Sequence, residues 1–159
     1  MNDFKHLLDS AKEQYNKLII INDEKTDSHD PDKYKKYCKD HSIPLYNLSV
    51  ELAQMLSKIP VRDRDQEAVD KLKEWMHDLE SETISFDNID YIFSEEVGKI
   101  DIIKTFNYYT RKKKLIILFI KAKKRNNLLI YSEEGSPDYM ELDISNNEGF
   151  VIGWWKSWK

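Results

Sequence analysis

The sequence predicts a single α/β domain in which a parallel sheet is flanked by helices. Three observations carry that reading. Leu18 to Ile21 and Leu115 to Ile120 are unbroken apolar runs of strand length, the mark of strands buried on both faces. Segments with helical spacing of apolar residues separate the strands, and this β-α-β-α order implies parallel pairing with helices on both faces. The chain has 159 residues, enough for one core and short for two.

Taken in order, Asp3 to Asn16 sets Phe4, Leu7, Leu8, Ala11 and Tyr15 on one stripe and reads as an added N-terminal helix, about residues 3–16. The strand at 18–21 follows directly. A helix then opens with Asp30 as N-cap and Pro31 in the first helical position, where a missing N–H costs nothing, and runs to about Asp40. Ile43 to Leu48 forms a short second strand. Ser49 caps a helix carrying Val50, Leu52, Ala53, Leu56 and Ile59, which Pro60 closes. From Arg64 to Glu80, the residues Ala68, Val69, Leu72, Trp75, Met76 and Leu79 share one side, so this stripe packs on the sheet. Ile84 to Phe93 reads as a buried strand leading into a loop, Val97 to Tyr109 as a helix, and Leu128 to Tyr131 as one more strand. A tryptophan-rich tail, about 149–159, completes one domain over residues 1–159.

With 40% hydrophobic and 12% aromatic residues the chain is a folded protein and not a disordered one. Its one cysteine, Cys38, has no internal partner, and no leader or membrane-length apolar run is present, which points to the cytoplasm without membrane association. The net charge of -4 conceals a division. Residues 111–125 hold eight Lys and Arg and no acid, whereas 126–155 hold six acids and no Lys or Arg, so the protein is expected to be dipolar. Lys121, Lys123, Lys124 and Arg125 follow the strongest strand, and with Arg111 they are candidate contacts for DNA phosphates or for a partner. The competing reading is a solvated face paired with the acids beyond Asn126. In the tail, Trp154, Trp155 and Trp158 are candidate partner contacts, with packing on the domain itself the alternative.

A nucleotide-binding α/β domain needs a glycine-rich turn after its first strand, whose N–H groups wrap phosphate, followed by Lys and Ser or Thr. Here that strand runs into NDEKTDSHDPD, which lacks glycine and gathers Asp23, Glu24, Asp27, Asp30 and Asp32 against Lys25. This turn is expected not to hold ATP in the usual way. The same acids with His29 match no calcium-loop spacing and read as a solvated, helix-capping loop. TISFD, residues 83–87, has the form of a Walker B strand, with Asp87 where a magnesium-organising carboxylate stands. Asn88 follows where an active ATPase of the glutamate-switched kind carries Glu, and Asn cannot act as a base. The scattered histidines His6, His29, His41 and His77 show neither metal-ligand nor nucleophile spacing, so no catalytic residue, metal or cofactor is assigned.

Three passages, YNLSVELAQMLSKIPVRDR, ISFDNIDYIF (84–93) and LLIYSEEGSPDYMEL (128–142), resemble in order and in short motifs the BrxF-like small P-loop proteins of BREX bacteriophage-exclusion systems. The last passage, through Tyr131, Glu133 or Glu134, Gly135, Pro137, Asp138 and Tyr139, is the most specific. The resemblance spans residues 17–142 and implies a P-loop NTPase-like fold, here degenerate because the Walker A loop is gone, with Asp87 and Asn88 as a Walker-B-like remnant. It further implies a non-catalytic accessory subunit working with the other proteins of an antiphage defence complex, among them a DNA methyltransferase and ATPases. Two alternatives stand beside it: an ATPase subunit completed by a partner, and a small DNA-binding accessory protein.

Overall fold

The structure is a computed structural model that describes residues 2–111, 114–153 and 155. In chain order the elements are α1 (Asn2–Lys12), β1 (Leu18–Asn22), α2 (Pro31–Asp40), β2 (Leu45–Asn47), α3 (Leu48–Met55), α4 (Arg64–Asp78), β3 (Thr83–Asp87) and α5 (Ile102–Thr110). Then come β4 (Leu115–Ile120), β5 (Lys123–Arg125), β6 (Leu128–Tyr131), β7 (Met140–Asp143) and β8 (Val151–Ile152).

Five strands form a wholly parallel sheet in the order β2-β3-β4-β1-β8. Every residue of β1 and β4 is buried, as their unbroken apolar runs require of central strands. The pleat sends alternate residues to opposite faces. Ile19, Ile21, Ile117 and Phe119 meet Phe4 and Leu8 of α1 and Tyr37 and Cys38 of α2. Leu18, Ile20, Phe86 and Leu118 meet Leu52 of α3, Leu72 and Met76 of α4 and Phe106 of α5 on the other face. The expected α/β architecture with helices on both faces is therefore present.

The helix starts are set by side chains that take orphan N–H groups. Asp30 accepts from the Asp32 N–H with Pro31 in the first turn, as the sequence predicts. Asn47 caps α3 by accepting from Val50 N–H, so the cap lies two residues before the expected Ser49 and the helix ends at Met55, well ahead of Pro60. Two other boundaries differ for backbone reasons. The strand expected to reach Phe93 stops at Asp87 because Asn88 turns into the left-handed region at φ 47°, and short 3₁₀ turns follow. The helix expected from Val97 opens only at Ile102, because Gly98 and Lys99 both have positive φ and Asp101 then supplies a cap to the Lys104 N–H. The N-terminal helix ends at Lys12 and not at Asn16.

Leu128–Tyr131 does not extend the parallel sheet. It is the centre of a separate antiparallel meander, β5-β6-β7, whose Leu129 and Leu142 pack into the core on the α3–α5 face. The meander carries the chain across to β8, which pairs with β1 at the sheet edge. Beyond it, Trp155 is buried in that same core cluster, which corrects its candidacy as a partner contact. Trp154 and Trp158 lie outside the described residues.

Candidate functional site at the carboxyl ends of the parallel sheet

Open parallel sheets present ligands with a crevice where neighbouring strands leave to opposite faces. Here β1 leaves toward α2 and β4 toward the meander on the other face, so the crevice lies between β1 and β4. The chain closes it. Asp23 N–H donates to the Ile120 carbonyl at 3.0 Å, extending the ladder one step past the strand end.

Above this point stands a charged triad. Lys35 of α2 reaches down over the Phe119 ring, 5.2 Å from its centroid, and places Nζ 2.9 Å from Asp23 Oδ1 and 3.4 Å from Asp87 Oδ2. All three side chains are about three-quarters buried, at 23%, 24% and 24% exposure. Burial pulls the Lys35 pKa down, but the hydrogen bond and charge of Asp23 and the charge of Asp87 outweigh it and hold the ammonium above the usual lysine range. The ammonium thus sits between the carboxylate after the first strand and the carboxylate ending the Walker-B-like strand.

The turn after β1 is also tied to the chain. Six of its N–H groups are taken: Asp23 by Ile120 O, Glu24 by Asn22 Oδ1, Thr26 and His29 by each other's carbonyls, Asp32 by Asp30 Oδ1 and Lys33 by Asp30 O. No residue from 23 to 32 has positive φ. A phosphate cradle needs several N–H groups converging on one point, and the bonded ones here are spent on the chain's own acceptors. His29, 7% exposed, donates from Nε2 to the Asn22 carbonyl at 2.7 Å. Gly153, at φ +107°, lies so close to Asn22 and His29 that a Cβ would stand 3.0 Å from both, so the end of β8 fixes the turn from outside. Among the described residues no His, Cys, Asp or Glu cluster has metal-holding geometry.

Asn88, the other half of the Walker-B-like pair, bonds to the start of α3 and not to this triad. Its Nδ2 donates to Asn47 Oδ1 at 2.9 Å and its carbonyl accepts from the Ser49 N–H at 2.9 Å, joining the end of β3 to the start of α3. Ser49 Oγ in turn accepts from the Tyr91 N–H, and Tyr131 donates to Asp90 Oδ1 at 2.8 Å while its ring lies 4.1 Å from that of Phe93. The Tyr91 hydroxyl donates to Glu96, which also faces Arg64. The three passages that carry the BrxF-like resemblance therefore meet in one polar seam. Burial, then the hydrogen bond and charge of Asp90, drive the Tyr131 pKa far above that of a free tyrosine. Tyr131→Phe should cost about 1 kcal/mol in chemical denaturation, the worth of one such bond.

The basic stretch is not one patch. Arg111 lies at the amino end of β4, its guanidinium 4.6 Å from the Tyr15 ring and bonded to Asn16, whereas Lys121, Lys123, Lys124 and Arg125 lie beyond the carboxyl end, roughly 20 Å away along a six-residue strand. Lys114 is tied to the carbonyls of Leu79 and Ser81. In the meander, Lys123 lies in register with Ile130 and Glu141, and Arg125 with Leu128 and Asp143, so basic β5 and acidic β7 share one face. Arg125 Nη2 reaches Glu141 Oε1 at 3.4 Å. Folding thus sets Glu141 and Asp143 beside the bases of β5, so part of the charge separation in the linear sequence is paired within the meander. No helix among the described residues is long and apolar enough to cross a membrane.

No family model, no curated protein and no solved structure matches this chain. The fold, an α/β sheet consistent with Rossmann-like or P-loop-like architecture, and the site geometry are the grounds for a functional reading.

Proposed function

We propose that this protein is a non-catalytic interaction subunit built on a degenerate P-loop-type domain and working in a BREX-like antiphage assembly. The observation that carries the non-catalytic half is Lys35 standing between Asp23 and Asp87 over a glycine-free turn, several of whose N–H groups are already bonded. A nucleotide triphosphate with its cation needs that volume, those carboxylates and those N–H groups at once. The chain uses both carboxylates and several of those N–H groups for its own cohesion. The defence assignment rests on the resemblance of the three passages, and their meeting in one seam gives a structural reason for them to occur together.

Isothermal titration with ATP and magnesium should show no saturable heat up to millimolar nucleotide. Saturable binding that Asp87→Asn abolishes would overturn the non-catalytic reading and favour an ATPase subunit. Affinity purification from the native host should recover a DNA methyltransferase encoded beside this chain; recovery of the chain alone from cells expressing that operon counts against the assembly.

A further inference from the structure

The outer edge of the parallel sheet is open at β2. In a parallel ladder a residue of the neighbouring strand bonds to the residues before and after its register partner, leaving that partner's own N–H and C=O turned outward. Leu45 is the register partner of Ser85, and Ser85 N–H donates to Pro44 O at 2.9 Å. Leu45 N–H, Leu45 C=O and, two residues on, Asn47 N–H therefore face away from β3. Leu45 is 38% exposed, among the most open of the large apolar residues. Sheet edges are blunted by shortness, by charge or by proline. Leu-Tyr-Asn is short and follows Pro44, but it carries no charge or proline of its own.

Beside this edge, on the α2 face, lies a groove of about 430 Å³ lined by Ile43, Leu45 and Lys35, Lys36 and Lys39. Its floor is apolar and its rim cationic. Lys35 is committed to Asp23 and Asp87, and Lys36 to Asp40, while Lys39 is exposed and makes no ion pair among the described residues. A second copy pairing antiparallel along β2, about a two-fold axis normal to the sheet, would bring the two lysine rims together, which like-charge repulsion opposes.

We propose that β2 accepts an added strand from a different protein, an extended segment whose main chain bonds to Leu45 and Asn47 and which sets an apolar side chain in the Ile43–Leu45 groove with carboxylates beside Lys39. In this mode main-chain bonds give affinity and the groove and its charge give specificity. The inference names the surface through which the proposed interaction subunit works, and it is tested separately from the nucleotide question.

The probe is a blocked seven-residue peptide, Glu-Val-Glu-Val-Glu-Val-Glu, with its Lys-Val counterpart as control, titrated into ¹⁵N-labelled protein at low salt. The glutamate peptide should shift the amides of Ile43, Leu45 and Asn47, and the lysine peptide should shift them at least fivefold less. Leu45→Pro, which removes an outward N–H and no ladder bond, should abolish the shifts while leaving the rest of the spectrum folded. Lys39→Glu should reverse the preference between the peptides. Equal response to both peptides, shifts centred elsewhere, or no shift at millimolar peptide would overturn the proposal. So would shifts of the same amides on raising protein concentration alone, since those would assign the edge to a second copy. Failure here leaves the nucleotide result untouched, and saturable nucleotide binding leaves this one untouched.

Discussion

Trp155→Ala should be the most damaging single change at the carboxy-terminal end, lowering stability by about 3 kcal/mol, as for other buried large aromatics replaced by alanine. For a chain of this length that corresponds to a fall in melting temperature of roughly 6–12 °C. The side chain is 7% exposed and lies in the same cluster as Phe86, Phe106 and Leu118, beneath the strand that closes the sheet beside β1. Its loss therefore opens a cavity under β8 and loosens Gly153, which holds His29 and Asn22 in place. Differential scanning calorimetry reads the change directly. An unchanged melting temperature would mean that Trp155 does not pack in the core. The sequence alone leaves the tryptophans open between self-packing and a partner surface; on the partner-surface reading, truncation after Gly153 weakens complex formation more than it lowers melting temperature. Burial of Trp155 alters that balance, because the truncation removes a core side chain and must lower the melting temperature as well.

The parts of the fold legible in the sequence were those in which one physical requirement dominates a whole segment. Leu115–Ile120 is apolar at every position because both faces are covered, and α4 repeats Ala68, Leu72 and Met76 at helical spacing because one face meets the sheet. The meander was not legible for the opposite reason. Lys-Lys-Arg of β5 carries no strand pattern of its own, and the apolar-polar alternation of Met-Glu-Leu-Asp in β7 is too short to stand out; both are held by pairing to β6, a tertiary condition that propensity does not encode. A turn at Asp87 and Asn88 was readable as the alternative to a Walker-B-like pair, and the left-handed Asn88 with its Asn47 partner is that turn. At the site, the absence of glycine after β1 and the position of Asp87 were both readable. Lys35 was missed. It is one of several lysines on a thinly apolar helix, and only the crossing of α2 over Phe119 selects it from Lys33, Lys36 and Lys39. The one available signal was an acid at the end of each of two buried strands with no partner in sequence, which calls for a cation from elsewhere in the chain.

Lys35→Met should cost about 2 kcal/mol, the range for hydrogen bonds to charged groups, and lower the melting temperature by roughly 4–8 °C. The methionine keeps the length of the stem against Phe119, so the loss reports the ammonium and not the packing. What remains is two carboxylates, each about three-quarters buried, facing a gap that nothing fills. Adding Asp87→Asn to Lys35→Met should therefore recover about 1 kcal/mol relative to the single variant, since it removes one of two uncompensated charges; the two changes are coupled and must not add. The pH dependence has a defined sign. A lysine whose folded pKa is raised contributes stability that is fully present below its unfolded value of about 10.4 and is lost as pH climbs through the folded value. The gap in stability between wild type and Lys35→Met should accordingly hold steady from pH 7 to 9 and narrow above about pH 10.5, a window accessible to urea denaturation. A melting temperature indifferent to Lys35→Met, or a double variant as unstable as the sum of its parts, would mean that the ammonium does not join β1 to β3. The carboxyl ends of the sheet would then be open to an external cation, and the reading of this site as closed by its own chain would fail with it.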